Sequence, residues 1–549
     1  MNLISTERRE YLFPTRVVKT RGIVDGAEVM LEKRSPVTTM REPRVTRLEK
    51  NGDENPYILL DFGREIHGSL RIVVAKLKRG EKAPKNLRAR LTFGESVSEA
   101  LSSIGEKGAT NDHSPRDFEI VLSNLSNVEY GSTGFRFVRV ELIEEGELSL
   151  RSLVAVSKTA DIDRRGYLCT SDEQFNRILD TAIYTCYLNL QDGVIWDGIK
   201  RDRLVWAGDL NSEILTVMNL YGPVEHIRNS LDHLREATLE HRWMNTIPSY
   251  SAWWVINHLD YYRMSNDLAY LSANLDRINS ILGDYELCID ADGRADFDRV
   301  KDPASHMPFY FDWPTRGTPD AEVGTMLLIY YMAQKVLAAA PEGIDLAAAR
   351  SLLAKTSCYL DAPTQMKQTL AFQSICGGKA EDALARLEEG GAQGFSTFMS
   401  YFLLKGLSHV GSERTLALAK EYYGAMLSRG ATTFWEDFDM DWLKGSGRID
   451  EEPAEGELDL HGDFGKYCYT KLRHSLCHGW SSGVVGWSYE ELLGLRIVEN
   501  GYRRISLSPN LRGLDWIEAK IPTAYGDIFV RVEAGKAPSV TLPEGVEMV

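Results

Sequence analysis

Thr170-Ser-Asp-Glu-Gln-Phe-Asn-Arg-Ile-Leu-Asp-Thr-Ala-Ile-Tyr-Thr-Cys186 is where the chain changes texture. A capping residue followed by acids opens a run in which Ile178, Ala182, Ile183 and Cys186 recur at helical spacing. Helical periodicity then dominates for about 320 residues, in segments that include 224–241, 268–282, 325–340, 346–360 and 414–427. Roughly a dozen such segments, separated by Gly, Pro and polar loops, suffice to close antiparallel pairs into a ring of six hairpins. This count predicts an (α/α)6 helical barrel over residues 161–497.

Ahead of that point the texture is β. Tyr57-Ile-Leu-Leu-Asp61-Phe-Gly63 and Gly68-Ser-Leu-Arg-Ile-Val-Val74 are short, rich in β-branched residues and bounded by Pro and Gly, which predicts two strands. Phe135-Arg-Phe-Val-Arg-Val-Glu-Leu142 places Phe135, Phe137 and Arg139 on one side of a strand and Arg136, Val138 and Val140 on the other. Such strands need a packed partner sheet, so a β-sandwich is expected over 1–160. Alternation returns in Arg504-Ile-Ser-Leu-Ser-Pro509 and Gly526-Asp-Ile-Phe-Val-Arg-Val532, predicting a small C-terminal β domain over 498–549. The expected fold class is multidomain: an (α/α)6 helical barrel flanked by an N-terminal β-sandwich and a small C-terminal β-sheet domain.

Composition narrows the function. The 549 residues exceed one hydrophobic core, and 43% apolar with 26% charged residues is ordinary globular usage. With 63 basic and 79 acidic residues the net charge is −16, and no basic cluster is interleaved with aromatics, so neither nucleic acid nor an anionic membrane is an expected partner. The longest apolar stretch, 326–340, is interrupted by Gln334 and Lys335 and is too short for a bilayer; it reads as a buried helix. The first ten residues lack the basic-then-apolar order of a signal peptide. Seven cysteines (Cys169, Cys186, Cys288, Cys358, Cys376, Cys468, Cys477) are odd in number, scattered and never spaced as CxxC. They predict reduced thiols, a cytoplasmic location and no zinc site.

The densest chemistry lies in Trp196-Asp-Gly-Ile-Lys-Arg-Asp-Arg-Leu-Val-Trp-Ala-Gly-Asp209, read as a loop leading into a helix. Asp197, Asp202 and Asp209 stand among Lys200, Arg201 and Arg203, with Trp196 and Trp206. Carboxylates grip vicinal hydroxyls, indole faces stack on the apolar side of a pyranose, and one carboxyl can donate a proton. By composition alone a surface loop stitched by Arg–Asp pairs is an equal reading. In Gly430-Ala-Thr-Thr-Phe-Trp-Glu-Asp-Phe-Asp439, crowded acids beside an aromatic wall could tune Glu436 as a base or acid, against the commoner structural role of a lone Glu beside Trp435. Ser475-Leu-Cys-His-Gly-Trp-Ser-Ser-Gly483 surrounds His478 with small residues that permit close approach of a ligand; a Cys477 nucleophile is disfavoured, because adjacent residues seldom orient thiol and imidazole together. Tyr250-Ser-Ala-Trp253-Trp254, His258-Leu-Asp-Tyr-Tyr262 and Phe311-Asp312-Trp313-Pro314 each set aromatics near an acid, and each alone reads more readily as core packing. Phosphate-loop, HExxH and EF-hand patterns are absent from the sequence.

These stretches resemble the α-L-rhamnosidases of glycoside hydrolase family 78. That family's signature Asp-Cys-Pro-Gln-Arg-Glu-Arg-Leu-Gly-Trp-Thr-Gly-Asp aligns with 197–209 at equal length, with Asp197, Arg201, Arg203, Leu204, Trp206, Gly208 and Asp209 identical. Its Gly-Ala-Thr-Thr-x-Trp-Glu matches Gly430 to Glu436, and its Asn-His-Tyr-Ala-x-Gly-Ser-like loop resembles Cys477 to Gly483. Leu60-Asp-Phe-Gly63, Gly134-Phe-Arg-Phe137 and the terminal sheet look like the family's flanking β domains. The resemblance implies Asp202 at the general-acid position, Glu436 at the general-base position, and Asp197 and Asp209 on sugar hydroxyls. It further implies a sugar platform from Trp253, Trp313 and Trp435 with His478 and Arg201 as polar contacts; Trp206, Trp254 and Asp312 complete the candidate binding set. Asp202 departs from the family's usual Glu and Gly198-Ile-Lys200 from its Cys-Pro-Gln, which puts the aglycone preference in doubt. The implied activity is inverting exo-hydrolysis of terminal α-L-rhamnose from a rhamnosylated small molecule or oligosaccharide, with no cofactor required and homodimerisation left open. The competing readings are another inverting glycosidase or a lyase on the same barrel, and a non-catalytic sugar-binding protein.

Overall fold

The computed structural model describes residues 7–82, 84–379, 381–466 and 469–549; Cys468 and the first six residues of the leader reading lie outside them. Nine N-terminal strands form one continuous hydrogen-bonded sheet. The two strands expected at 57–63 and 68–74 are a single strand, Tyr57–Lys78. It bends where its register against Asn127–Leu142 shifts between Asp61 and Ile66, with Gly63 left-handed at φ +83°. Before the bend it pairs with Arg16–Arg21, and beyond it with Gly146–Ala160, so the sheet folds over a core drawn from Val29 to Ala155. This is the sandwich expected from alternation, with one correction. Phe135 joins Val138 and Val140 in that core, whereas Phe137 packs with Tyr57 and Leu59 in a second cluster, because the same irregularity breaks the alternation.

Twelve of the thirteen α-helices among the described residues, all but Val97–Leu101, alternate between two concentric rings. Leu210–Leu220, Pro248–Ser265, Pro319–Ala339, Lys367–Cys376, Ser400–His409 and Val484–Trp487 contact one another in that order, and the last closes on the first. Glu173–Leu188, Glu225–Ala237, Leu268–Cys288, Leu346–Thr356, Ala383–Glu388 and Thr415–Ser428 lie outside them. Sequence dictates the division. In the inner Pro319–Ala339 helix four consecutive residues, Met326 to Ile329, are all buried, as a helix apolar all round requires. The outer Glu225–Ala237 buries only the stripe of His226, Ile227, Ser230, Leu231 and Leu234. Asp172 caps the first helix by accepting from Phe175 N at 2.8 Å. No helix among the described residues is long and apolar enough to cross a membrane.

The C-terminal region holds a four-stranded and a three-stranded sheet. The four-stranded one takes its edge strand, Tyr167–Thr170, from just ahead of the helical rings and pairs it antiparallel with Trp516–Thr523.

Candidate active site

A cavity of about 240 Å³ opens over the N-terminal ends of the inner helices. Asp197, Asp202, Trp206 and Asp209 line it from the loop that runs into Leu210–Leu220, and Ile247 and Tyr250 from the start of Pro248–Ser265. His306, Met307, Tyr310 and Trp313 come from the connection before Pro319–Ala339; Glu436, Tyr469, His478 and Trp480 come from the long path that leads to the last inner helix. The three sequence motifs therefore converge on one wall, although more than 200 positions separate Asp202 from Glu436.

The polar floor is organised by Arg201, whose Nη1 donates to Asp202 Oδ2 at 2.8 Å and whose Nη2 donates to Glu436 Oε2. Its Nε donates to Arg473 O at 2.8 Å, and its guanidinium lies over the Tyr469 ring. Glu436 Oε2 also accepts from Ser475 N at 3.1 Å. Burial alone would raise the Glu436 carboxyl, but the paired Arg201 guanidinium outweighs burial and holds it well below the usual carboxylate range. Asp202 and Arg203 both adopt left-handed backbone, φ +55° and +57°, conformations that cost non-glycine residues on the order of 1–3 kcal/mol each. The loop is held there by outside contacts: His113 Nδ1 accepts from Asp202 N at 2.7 Å, and Arg203 Nη1 donates to Ser132 O at 3.1 Å.

Asp197 and Asp209 are buried and face the cavity from either side of His478, whose Nε2 lies 3.9 and 3.8 Å from them. Burial, with Asp202 and Asp209 adding, pushes the Asp197 carboxyl well up; burial, with Glu436 and Asp202 adding, does the same to Asp209. Burial also lowers His478 to about 3. Burial thus works against the charged form of all three groups. Asp197 Oδ1 accepts from Leu204 N at 2.9 Å, which fixes the loop on itself, and Tyr250 OH donates to Asp209 Oδ1 at 3.4 Å. Glu213 lies buried just behind, its carboxyl raised by burial and by Asp209 and Asp197, pressed against Gly479 where a β-carbon would overlap it.

Not every candidate lines the cavity. Trp253 packs on Phe398 and Phe402, and Trp435 is edge-on to Phe438. Trp254 turns the other way, donating Nε1 to Leu231 O at 3.0 Å and lying against His258. Adjacent residues of a helix point about 100° apart, so the Trp253–Trp254 pair could not share one face. Asp312 caps the short turn at Trp313–Thr315 and accepts from Ser396 Oγ at 2.5 Å, a structural anchor for Trp313. Trp253, Trp254, Trp435 and Asp312 are thus packing residues, and the aromatic walls are Trp206, Trp313, Tyr250, Tyr310, Tyr469 and Trp480 instead. Cys477 is buried with Leu188 and Ile199 and does not line the cavity, which removes the thiol from the chemistry. Glu95, Glu99 and His461 bring ligand atoms within 4.8 Å of one another, but the Lys200 ammonium stands 3.0 Å from Glu95 Oε2 and 3.3 Å from Glu99 Oε1 and supplies the cation there.

Comparison with known proteins agrees with this geometry. The domain family described as the bacterial alpha-L-rhamnosidase 6 hairpin glycosidase domain matches residues 163–340, and the bacterial alpha-L-rhamnosidase C-terminal domain matches 494–549. No curated protein sequence is a match. Among solved structures the chain is similar to the family 78 rhamnosidase of Bacillus sp. GL1, with TM-score 0.70 and 18% identity over 95% of this chain and 56% of that one. It is similar to a Klebsiella oxytoca rhamnosidase with rhamnose bound, with TM-score 0.67 and 20% identity over 88% and 96% of the two chains. It is also similar to the Streptomyces avermitilis α-L-rhamnosidase complexed with L-rhamnose, with TM-score 0.69 and 16% identity over 99% and 50%. The chain spans only about half the length of the Bacillus and Streptomyces enzymes. The chain thus carries two regions that match domains of bacterial α-L-rhamnosidases, on a fold shared with the family 78 rhamnosidase structures.

Proposed function

We propose that this protein is an exo-acting α-L-rhamnosidase that releases terminal α-L-rhamnose from a glycoside or oligosaccharide with inversion. The observation that carries this reading is the cavity itself, where Asp197, Asp202, Asp209 and Glu436 meet between aromatic walls of a size suited to one sugar unit. Glu436, held ionised by Arg201, is the base that activates water, and Asp202 across the same guanidinium is the proton donor to the leaving oxygen. Asp197 and Asp209, both buried in the cavity wall, hydrogen-bond to sugar hydroxyls, with Trp206 and Trp313 against the ring. The division we propose places this chemistry in the helical rings of 161–497, with β domains on either side, and the free cysteines suit the cytoplasmic location we propose.

Inversion is tested by proton NMR of the first products from an α-L-rhamnoside. β-L-Rhamnose should appear before mutarotation; α-anomer first would refute inversion, and no release from any rhamnoside would remove the substrate assignment. Inversion also requires the two carboxyl groups to stand about 6.5–9.5 Å apart with a water between them in the substrate complex, against about 5 Å for retention. A second reading has one observation in its favour: Asp209 faces the same cavity with its carboxyl pushed up by burial, while Asp202 is bound by Arg201. In that reading Asp209 is the donor and Asp202 the ligand of Arg201.

A further inference from the structure

Arg201 has a counterpart one residue earlier. Lys200 Nζ, 5% exposed, donates to Leu472 O at 3.1 Å and to His474 O, while Arg201 donates to Arg473 O between them. The amides that follow divide the same way: Ser475 N donates to Glu436 and Leu476 N to Glu95 Oε2 at 2.6 Å. Segment 472–476 is thus held between two cation–carboxylate pairs. Arg201–Glu436 grips it from the cavity, and Lys200–Glu95 grips it from the N-terminal sheet, with Ser475 Oγ donating to Glu95 Oε1 at 3.3 Å as a rung between them. Glu99 completes the back pair by accepting from Glu95 N at 2.9 Å and standing 3.3 Å from Lys200 Nζ.

We propose that Lys200, clamped by Glu95 and Glu99 of the N-terminal β region, is a positioning residue that sets the placement of Arg201 and Glu436, so that this β region is part of the catalytic apparatus. The proposal rests on the rhamnosidase reading for its rate consequence but not for its geometry. The position is one where the chain departs from the family signature, which has a neutral Gln in place of Lys200. A neutral side chain could not neutralise two ionised carboxylates, so Lys200 and Glu95 are expected to work as a pair. Buried charges in this arrangement cost far more broken than exchanged together.

The groups facing Lys200 are Glu65, Glu95, Glu99, His461 and His474, and Arg116 stands 3.6 Å from Glu99. With Lys200 removed, the acids must take up protons to stay buried, so the defect should deepen as pH rises. The experiment is Lys200→Met, alone and with Glu95→Gln, read by amide hydrogen exchange and by kinetics on an aryl α-L-rhamnoside from pH 5 to 8, well below melting. Lys200→Met should speed exchange in peptides covering 197–206 and 472–478 and nowhere in the C-terminal sheets. It should lower kcat roughly 10- to 100-fold with little change in KM, most at high pH. Adding Glu95→Gln should flatten that pH dependence, and Lys200→Arg should recover part of kcat. Should Lys200→Met not fold, Glu95→Gln alone is read in the same two ways. Unchanged exchange in both peptides, or wild-type kcat with only a lowered Tm, overturns the proposal. Faster exchange in a protein whose wild type cleaves no rhamnoside leaves the clamp standing and removes the substrate reading instead.

Discussion

Asp202 and Glu436 are ligands of the same guanidinium: Nη1 of Arg201 donates to one and Nη2 to the other. Removing either charge therefore frees a donor toward the remaining carboxylate, and the two substitutions separate their roles only if read against the leaving group. A general acid matters most when the departing oxygen is a poor leaving group. Asp202→Asn should nearly abolish cleavage of a disaccharide rhamnoside while partly sparing an aryl rhamnoside. Glu436→Gln should depress both by similar factors, because water must be deprotonated whatever departs. Should Asp209→Asn rather than Asp202→Asn show the selective loss, Asp209 is the proton donor.

Asp197→Ala and Asp209→Ala should act through recognition of the sugar. Each removes a buried hydrogen-bonding acid from the cavity wall, and each should lower kcat/KM by roughly 1.5–3 kcal/mol of transition-state binding. Wild-type kinetics in both folded variants would make the loop a structural clasp.

The aromatic assignments separate through KM and stability. Trp206→Ala strips a cavity wall and should raise KM with little change in Tm. Trp254→Phe leaves the Leu231 carbonyl without its donor in the core and should cost about 1–3 kcal/mol of stability, with kcat/KM unchanged below melting. A raised KM in Trp254→Phe would restore it to the site.

Asp437 offers a pH-dependent stability. Burial first, then Glu436, raises its carboxyl from 3.8 to about 7, so the folded protein holds a proton that the unfolded chain releases. Its contribution is present below about pH 4 and lost as pH rises through about 7. Asp437→Asn cannot ionise. Its Tm should exceed that of the wild type by a few degrees at pH 8 and coincide with it near pH 4, as followed by circular dichroism; equal melting at both pH values would show that the side chain finds a partner when ionised.

Much of this was legible from local pattern. Helical period separates buried Met326 to Ile329 from the striped 225–237 segment, and three motifs mark Asp197, Asp202, Asp209, Glu436 and His478, which do share one cavity. Tyr310, Tyr469 and His306 sit on irregular connections whose course no periodicity encodes, so their arrival at the site had no local signal. Trp253 and Trp254 misled because an aromatic pair beside an acid reads alike in a core and in a cleft, and only helix phase against the rest of the ring decides. Lys200 read as one cation among three in a polar loop; its partners Glu95 and Glu99 lie about a hundred positions away in another domain.

The strand Tyr167–Thr170 pairs with Trp516–Thr523, so a segment made before the first helix is finished only by one made after the last. On the ribosome, the helical ring would then emerge almost whole before its seam could be sewn, leaving the entrance strand exposed as an unpaired edge throughout synthesis. Contacts so distant in sequence carry a large closure entropy and form late. Nonsense lesions between Trp487 and Trp516 should therefore yield not a trimmed enzyme but a helical ring with an exposed, aggregation-prone strand edge.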